Sequence, residues 1–319
     1  MKTAGGEEGR KWMWEKTMIK LGVCVPNYGT TLSVEALRDV ALESEKLGYD
    51  SLWTTDHILV PRESGTPYEK IFDSIATLAY LAAQTTEVKL GISSLIIALR
   101  NPVVAAKQLA TVDSLSGGRL SMLAIGAGWL EREFSYLGSN FHTRGKRVDE
   151  SIRLIRALWA GEENFQGKTI AQNFSESSFE PGPPHAGGSE GLKIWIGGIS
   201  PVAMKRAANL GDAWHPNVTP IESFREMVAQ FRQISPSARD KPICVRIGLN
   251  AKATTSEYRG PRGDRRVVLS SNAEENKRVM SELEKLGVTY ALVVTNPEGT
   301  APVENQIEGL RMLASKLMP

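Results

Sequence analysis

Asp56 and His57 follow directly after the strand-like run at residues 51–55. The imidazole of His57 can donate, accept or transfer a proton near neutral pH, so His57 is the leading candidate for a catalytic acid or base. Asp56 could orient another group or bind the polar atoms of a cofactor. The structural alternative is that Asp56 caps a loop and His57 hydrogen-bonds a backbone carbonyl. Position alone leaves both interpretations open.

A pair of glycines, Gly126 and Gly128, precedes Trp129 in the segment LAIGAGWLER. The segment matches a dinucleotide-binding fingerprint only in part, because Glu131 occupies the third glycine position and no N-terminal βαβ unit surrounds it. The glycines could instead let the backbone approach a flat ring or a phosphate. A tight bend between strand and loop explains them equally well.

A second glycine segment, WIGGISP, leads from a strand into a helix. Gly197 and Gly198 leave the strand, and Ser200 and Pro201 begin the helix. Backbone N–H groups at a helix start, a serine hydroxyl and the positive end of the helix dipole together make an anion site. An ordinary serine cap followed by proline is the alternative, and one serine can serve both purposes.

The remaining histidines give weaker signals. Trp214 could pack against a ring system and His215 could contact substrate, although such a pair is more often structural. His142 and His185 have no identifiable partner, and residues 131–133 are predicted to form a solvated helix start. The sequence contains no P-loop or H-E-x-x-H motif, so it gives no sign of those nucleotide-binding proteins or metalloproteases.

The elements that must position these residues alternate regularly between strand and helix. The predicted strands cover residues 19–25, 49–55, 88–97, 119–128, 193–198, 212–218, 242–251 and 290–295. The predicted helices cover residues 34–48, 71–86, 101–118, 144–161, 200–211, 221–234, 272–287 and 303–317. Eight such pairs predict an α/β fold, a closed (β/α)8 TIM barrel with insertion segments, and an open doubly wound sheet is the alternative. Barrel closure would gather the candidate residues at one rim.

One barrel domain is predicted over residues 18–319, with a Gly-, Pro- and Ser-rich insertion around 162–192 that could hold a short hairpin. Residues 1–17 look like a flexible N-terminal extension and lack the apolar core of a signal peptide. The charged stretch 256–268 is predicted to be a loop.

The bulk composition is that of an ordinary soluble globular protein. The formal net charge of +2 gives no sign of nucleic acid or an anionic membrane as partner. Two distant cysteines and the lack of a long apolar run favour a cytoplasmic protein without disulfides.

Taken together and in order, several segments resemble the luciferase-like family of flavin- or deazaflavin-dependent oxidoreductases. They are IKLGVCVPNYG, LGYDSLWTTDHILVP, VKLGISSLIIALRNPVVAAKQLATVDSLSGGRLSMLAIGAGW, EREF, RGKRVDESIRLIRALW and KIWIGGISPVAMKRAANLGDAWHP. No single segment is decisive, but the ordered set is specific. The resemblance implies a (β/α)8 barrel with insertions, a small-molecule substrate and a homodimer.

The resemblance also implies roles for individual residues. Asp56 and His57 match a pair near the cofactor ring, where His57 would act on substrate. Ser93 and Ser94 match a strand end at which many deazaflavin-dependent members hold a non-prolyl cis peptide behind the ring. Residues 126–129 match the segment along the cofactor tail. The phosphate-binding turn is matched by Gly197, Gly198 and Ser200.

The cofactor implied by the resemblance is coenzyme F420, with FMN as the alternative. An F420-dependent enzyme would transfer a hydride, whereas an FMN-dependent monooxygenase would be fed by a separate flavin reductase. A non-catalytic flavin-binding protein is a third hypothesis. Members that oxidise a sugar phosphate carry an acidic proton donor at the position of Trp129, so this chain departs from them there.

Overall fold

The structure, a computed structural model, describes residues 19–62, 64–168, 171–173, 176–184 and 192–318. Its strands are β1 (Lys20–Cys24), β2 (Ser51–Thr54), β3 (Lys89–Leu95), β4 (Leu120–Ile125), β5 (Asn164–Gln166), β6 (Ala171–Asn173), β7 (Lys193–Gly197), β8 (Ala213–His215), β9 (Ile243–Leu249), β10 (Glu257–Arg259), β11 (Arg265–Leu269) and β12 (Val288–Val294). Its α-helices are α1 (Val34–Lys46), α2 (Ser74–Gln84), α3 (Pro102–Leu115), α4 (Glu131–Tyr136), α5 (Arg144–Trp159), α6 (Pro201–Leu210), α7 (Ile221–Gln233), α8 (Pro236–Arg239), α9 (Ala273–Lys285) and α10 (Val303–Leu317).

Eight of these strands form a closed parallel barrel. The order is β1, β2, β3, β4, β7, β8, β9 and β12, and the ring closes because β12 pairs with β1 while β8 pairs with β9. The predicted TIM barrel is confirmed, and the open doubly wound sheet is wrong. The C-terminal ends of all eight strands therefore point to the same rim, where barrel enzymes carry their active sites.

Alternation along the strands separates two apolar clusters. Side chains that point outward pack under the helices in a large core. Side chains that point inward form a second cluster, in which the rings of Trp53 and Trp195 lie 4.9 Å apart and Tyr290 lies 5.3 Å from Trp195. These bulky rings pack against one another in the barrel interior, beneath the rim.

The segments outside the barrel differ in part from prediction. Residues 256–268 were expected to be a loop, but β10 and β11 form an antiparallel hairpin there, and β11 also pairs in parallel with β9. Arg265, Arg266 and the following Val-Val-Leu suit an edge strand, and the charges concealed that pattern.

Within the insertion around 162–192, β5 and β6 form a short antiparallel hairpin. Residues 1–17 and His185 lie outside the described residues. No described helix combines the length and apolar character needed to cross a bilayer.

Candidate active site

His57 is buried at the rim and bonded to a carboxylate that is distant in sequence. Its Nδ1 atom lies 2.7 Å from Oε2 of Glu133, and the two side chains are only 4% and 1% exposed. The other carboxylate oxygen of Glu133 accepts hydrogen bonds from the backbone N–H groups of Ile58 and Leu59, at 2.7 and 3.2 Å. All the polar atoms of this carboxylate therefore face the segment that follows β2.

The environment of Glu133 fixes the tautomer of His57. Burial would raise the pKa of Glu133, but the hydrogen bonds from His57 and the two backbone groups outweigh it and hold the pKa below its usual value. An ionised carboxylate can only accept, so Nδ1 of His57 must carry a proton. The atom left to gain or lose a proton is Nε2, which makes no hydrogen bond within the described part of the chain. That is the arrangement that a general acid or base requires.

Aromatic rings enclose the imidazole. Tyr68 stacks on His57 with ring centres 4.7 Å apart, and Trp129 meets it edge-on at 6.1 Å. Tyr28 packs edge-on against Tyr68 at 4.9 Å. These rings limit the access of water to the imidazole, whose side chain is only 4% exposed.

Asp56 has a different role from its neighbour. Its carboxylate is fully buried and accepts hydrogen bonds from the Ser74 hydroxyl at 2.7 Å, the Ile96 N–H at 2.9 Å and the Arg100 guanidinium at 2.6 Å. The protein itself occupies both oxygens. We therefore assign Asp56 to holding the end of β3 in place, and the prediction that it binds cofactor has no support in these contacts.

The peptide bond between Ser93 and Ser94 is cis, as the resemblance implied. The Ser93 carbonyl accepts a hydrogen bond from Arg246 at 2.7 Å, and the Ser93 hydroxyl lies 2.8 Å from Nε2 of His215. Nδ1 of His215 faces the Cys244 carbonyl, which can only accept, so Nε2 carries no proton and accepts from Ser93. Burial lowers the pKa of His215 to about 3, which keeps this ring neutral.

His215 thus supports the cis peptide through the Ser93 hydroxyl. Trp214, next to it, points away from the interior. Its indole N–H donates to the Gly198 carbonyl at 2.8 Å, and its ring stacks on Phe231 at 4.7 Å. Both residues are structural supports of the rim.

The predicted glycine segments come together beside Ser94. A Cβ atom added at Gly126 would lie 3.3 Å from the Ser94 Cβ, and one added at Gly197 would lie 2.7 Å from the Ser94 hydroxyl. Gly198 has a φ of 118°, a conformation that favours glycine. Ser200 caps α6, since its hydroxyl accepts from the Ala203 N–H at 3.2 Å. These residues bring backbone without side chains of its own close to Ser94 and to the start of α6, and Gly126, Gly197, Gly198 and Ser200 are called the glycine cradle below.

Two arginines at the start of α5 suit an anion beside this cradle. Nε of Arg147 is buried without a hydrogen-bond partner, and Arg144 donates to the Gly128 carbonyl at 3.2 Å. Within the described ranges neither guanidinium forms a salt bridge to a carboxylate. The first turn of α5 also touches α6, because Arg206 donates to the Gly145 carbonyl. The uncompensated positive charge and the cradle fit the phosphate of a flavin or deazaflavin.

Gly128 and Trp129 lie at the edge of this arrangement. A Cβ at Gly128, where φ is 76°, would collide with Phe134 and Ile96, so this glycine is required by close packing. No group of histidine, cysteine and carboxylate side chains in the described residues is arranged to hold a metal ion.

Sequence reasoning missed Glu133. It was assigned to a solvated helix start, but it is fully buried. A signal was present, because Leu130, Glu133, Phe134 and Leu137 share one face of a helix at spacings of three and four. A carboxylate inside an apolar stripe requires a buried partner, and His57 is that partner.

The sequence of residues 19–260 matches the family model described as luciferase-like monooxygenase. The chain belongs to the luciferase-like monooxygenase family. Members of this luciferase-like family include both F420-dependent and FMN-dependent oxidoreductases. The parallel barrel, the rim site and the position of the glycine segments agree with that assignment.

Relatives of both cofactor types are similar to this chain. It is 32% identical over 185 residues to an F420-dependent glucose-6-phosphate dehydrogenase of Amycolatopsis mediterranei (strain U-32), covering 56% of this chain and 52% of the relative. It is 29% identical over 247 residues to an FMNH(2)-dependent dimethylsulfone monooxygenase of Pseudomonas fluorescens (strain Pf0-1), covering 73% and 64%. The matches thus span roughly half to two thirds of the relatives' length.

The fold is also that of an F420-dependent secondary alcohol dehydrogenase solved in complex with an F420-acetone adduct. The TM-score is 0.72 at 16% identity, covering 94% of this chain and 99% of that one.

Proposed function

We propose that the protein is an F420-dependent oxidoreductase that transfers a hydride between the deazaflavin and a small organic substrate. The observation that carries the proposal is the buried pair of His57 and Glu133 beside the glycine cradle. When bound, the 5-deazaflavin supplies or accepts a hydride at ring carbon 5. Converting an alcohol to a carbonyl releases one hydride and one proton, and the reverse reaction needs both.

Nε2 of His57 is the atom that would take up and return this proton. Glu133 holds the opposite nitrogen protonated, so Nε2 can accept the hydroxyl proton during oxidation and return it during reduction. The nearby negative charge of Glu133 stabilises the imidazolium that forms. Tyr68 and Trp129 shield the imidazole from water, which strengthens that electrostatic effect.

Residues of the cradle would bind the cofactor's phosphate. Gly197, Gly198 and Ser200 offer backbone N–H groups and a hydroxyl at the start of α6, and Arg144 and Arg147 offer positive charge. Gly126 brings side-chain-free backbone close to the cis-linked Ser94, and the flat ring would lie against this part of the rim.

The substrate that we propose is not a sugar phosphate. Trp129, an indole, stands where the resemblance places an acidic proton donor in sugar-phosphate-oxidising members. The carboxylate that does contact His57, that of Glu133, has both oxygens engaged by protein groups. An apolar wall at this place favours a substrate with an uncharged body.

An FMN-dependent monooxygenase is the second candidate. Similarity to the dimethylsulfone monooxygenase covers more of this chain than similarity to the F420-dependent relative does, 73% against 56%. This function would require a separate reductase as partner. A homodimer is proposed for either candidate.

The test is to compare cofactor binding and oxygen use. Full-length protein is titrated with F420 and with FMN, and binding is followed by fluorescence quenching, while the spectrum and mass of any copurified cofactor are recorded. Binding of F420 in preference to FMN is expected. Preferential FMN binding, with oxygen consumption when reduced FMN is supplied, would replace the proposal by the second candidate. Tight binding of F420 without turnover across a broad panel of alcohols and carbonyl compounds would favour a non-catalytic flavin-binding protein.

A further inference from the structure

Three buried aromatic side chains in the barrel interior, Trp53, Trp195 and Tyr290, are in contact with one another and are called the aromatic series below. The ring centres of Trp53 and Trp195 lie 4.9 Å apart, and that of Tyr290 lies 5.3 Å from Trp195 and 6.5 Å from Trp53. At its upper end, Trp53 stacks on the ring of His215 at 6.2 Å, and His215 contacts the Ser93 hydroxyl at the rim. The aromatic series therefore begins directly beneath the candidate active site.

Two glycines make room for the ring of Trp53. A Cβ atom added at Gly91 would lie 2.7 Å from the indole, and one added at Gly22 would lie 2.9 Å from the indole nitrogen. These glycines belong to β3 and β1, the strands that pair with β2 on either side. The place of the indole is thus fixed by three adjacent strands.

A chain of hydrogen bonds leads from the aromatic series to the opposite face of the barrel. The indole N–H of Trp53 donates to the Ser51 hydroxyl at 2.5 Å, that hydroxyl lies 2.6 Å from the phenol oxygen of Tyr290, and the phenol donates to the carboxylate of Asp50. Asp50 pairs with Lys89 at 2.9 Å, and the two side chains are 23% and 43% exposed. Asp50 precedes β2 and Lys89 begins β3, so both lie at the N-terminal strand ends, away from the rim.

This arrangement suits the loss of a single electron. Indoles and phenols lose one electron more readily than other side chains, apart from thiolates. Burial raises the pKa of Cys24 and Cys244, which lie in the same cluster, so both stay protonated thiols. A phenol loses an electron readily only when its proton leaves as well, because an oxidised phenol that keeps its proton is a very strong acid. Asp50 already accepts the hydrogen bond of Tyr290 and can take that proton.

We propose that the aromatic series carries a single oxidising equivalent from beneath the rim to the opposite face of the barrel. A one-electron oxidant at the rim, such as an organic peroxyl radical, takes an electron from Trp53 or Trp195 and becomes the peroxide anion, which leaves an indole radical cation. Tyr290 then gives an electron to that indole and its proton to Asp50, and becomes a neutral tyrosyl radical.

The exposed end of the path completes the cycle. A thiolate in solution returns one electron to Tyr290 and becomes a thiyl radical, while Asp50 returns the proton to the phenol. The damage is thereby removed from the rim, where the reacting groups lie. Every group in the path belongs to the chain itself, so the inference goes beyond the proposed function and holds for either cofactor.

The experiment is flash photolysis of the full-length protein without cofactor. An ultraviolet flash ionises tryptophans, and transient absorption then follows the indole and tyrosyl radicals separately. In the unaltered protein we expect the tyrosyl signal to rise as the indole signal decays. Tyr290→Phe keeps the ring and removes the O–H group, so it should lose that rise and lengthen the life of the indole radical. The matched control is Tyr49→Phe, because Tyr49 is also buried but packs in the outer core and donates to the Leu310 carbonyl instead of a carboxylate.

The part played by the proton is measured in the same way. Asp50→Asn should slow the formation of the tyrosyl radical, since a carboxamide is a poor proton acceptor, and heavy water should slow it in the unaltered protein. An undiminished tyrosyl signal in Tyr290→Phe would overturn the proposal and leave the three rings as packing alone. Equal rates in Asp50→Asn and the unaltered protein would overturn it too. Should a variant not fold, the unaltered protein decides, because a rate that heavy water does not change contradicts proton transfer to Asp50.

Discussion

Replacing Glu133 by glutamine tests the role of His57 by changing the side chain bonded to Nδ1, on the opposite side of the ring from Nε2. Glutamine has nearly the same shape as glutamate. Its amide oxygen must stay toward the N–H groups of Ile58 and Leu59, because an NH2 group there would face two donors. The NH2 group then points at Nδ1 of His57, 2.7 Å away in the unaltered protein. Nδ1 becomes the acceptor, and the imidazole proton moves to Nε2.

The expected size of the loss in kcat follows from this change of the His57 tautomer. A well-placed general base contributes about 10²–10⁴-fold to a rate, and a protonated Nε2 on a neutral ring can no longer act as one. We expect kcat for alcohol oxidation to fall by about 10²-fold or more. The three charge-assisted hydrogen bonds of Glu133 become neutral ones, so the free energy of unfolding should fall by about 1–3 kcal/mol. The variant should therefore stay folded while kcat falls.

Two measurements check the expectation for Glu133→Gln. Nitrogen-15 NMR of the ring should show the proton on Nδ1 of His57 in the unaltered protein and on Nε2 in the variant, without any substrate. Kinetics with bound cofactor should show the loss in kcat. Glu131→Gln is the matched control, because that carboxylate lies in the same helix and is 63% exposed. If Glu133→Gln kept the Nδ1 proton, or if it turned over like the control, the tautomer reasoning would be wrong.

Three further changes follow from the same geometry. We expect His57→Ala to lower kcat by about 10²-fold while F420 affinity is retained, since His57 is not part of the cradle; unchanged turnover would remove it from catalysis. In Gly197→Ala, the new methyl group would lie 2.7 Å from the Ser94 hydroxyl, so F420 should bind about tenfold more weakly by fluorescence titration, and unaltered affinity would contradict the cradle. The pKa of His215, about 3, lies below that of an unfolded histidine. Its contribution to stability is therefore complete above about pH 6.5 and lost as pH falls toward 3. NMR should show no titration of this ring between about pH 5 and 8, and denaturation should become easier below that range.

The barrel could be predicted because its signal is local and repeated. Each strand is a short apolar run and each helix an amphipathic one, so eight imprecise assignments still add up to a closed ring. The prediction was wrong where the local sequence pattern of a segment suggests one structure and its tertiary partner imposes another. The hairpin at residues 256–268 was missed because its strand β11 depends on an edge of β9 that sequence reasoning does not see.

The site was harder to predict because its contacts are distant in sequence. His57 and Glu133 are 76 positions apart, and Arg246 lies 153 positions from the Ser93 carbonyl that it contacts. Residue type and strand end made His57 and the glycines candidates, because their chemistry is visible from one segment. They could not indicate Glu133, because its role depends on its buried partner His57.

Asp56 and His57 show that adjacent residues of suitable chemistry can differ in the contacts they make. Asp56 was predicted to bind cofactor and His57 to act on substrate, and both residues are buried, at 2% and 4% exposure. The carboxylate of Asp56 accepts hydrogen bonds from Ser74, Ile96 and Arg100, whereas Nε2 of His57 has no partner among the described residues. Hydrogen bonds from distant segments thus decide which of two chemically capable neighbours is available to a substrate.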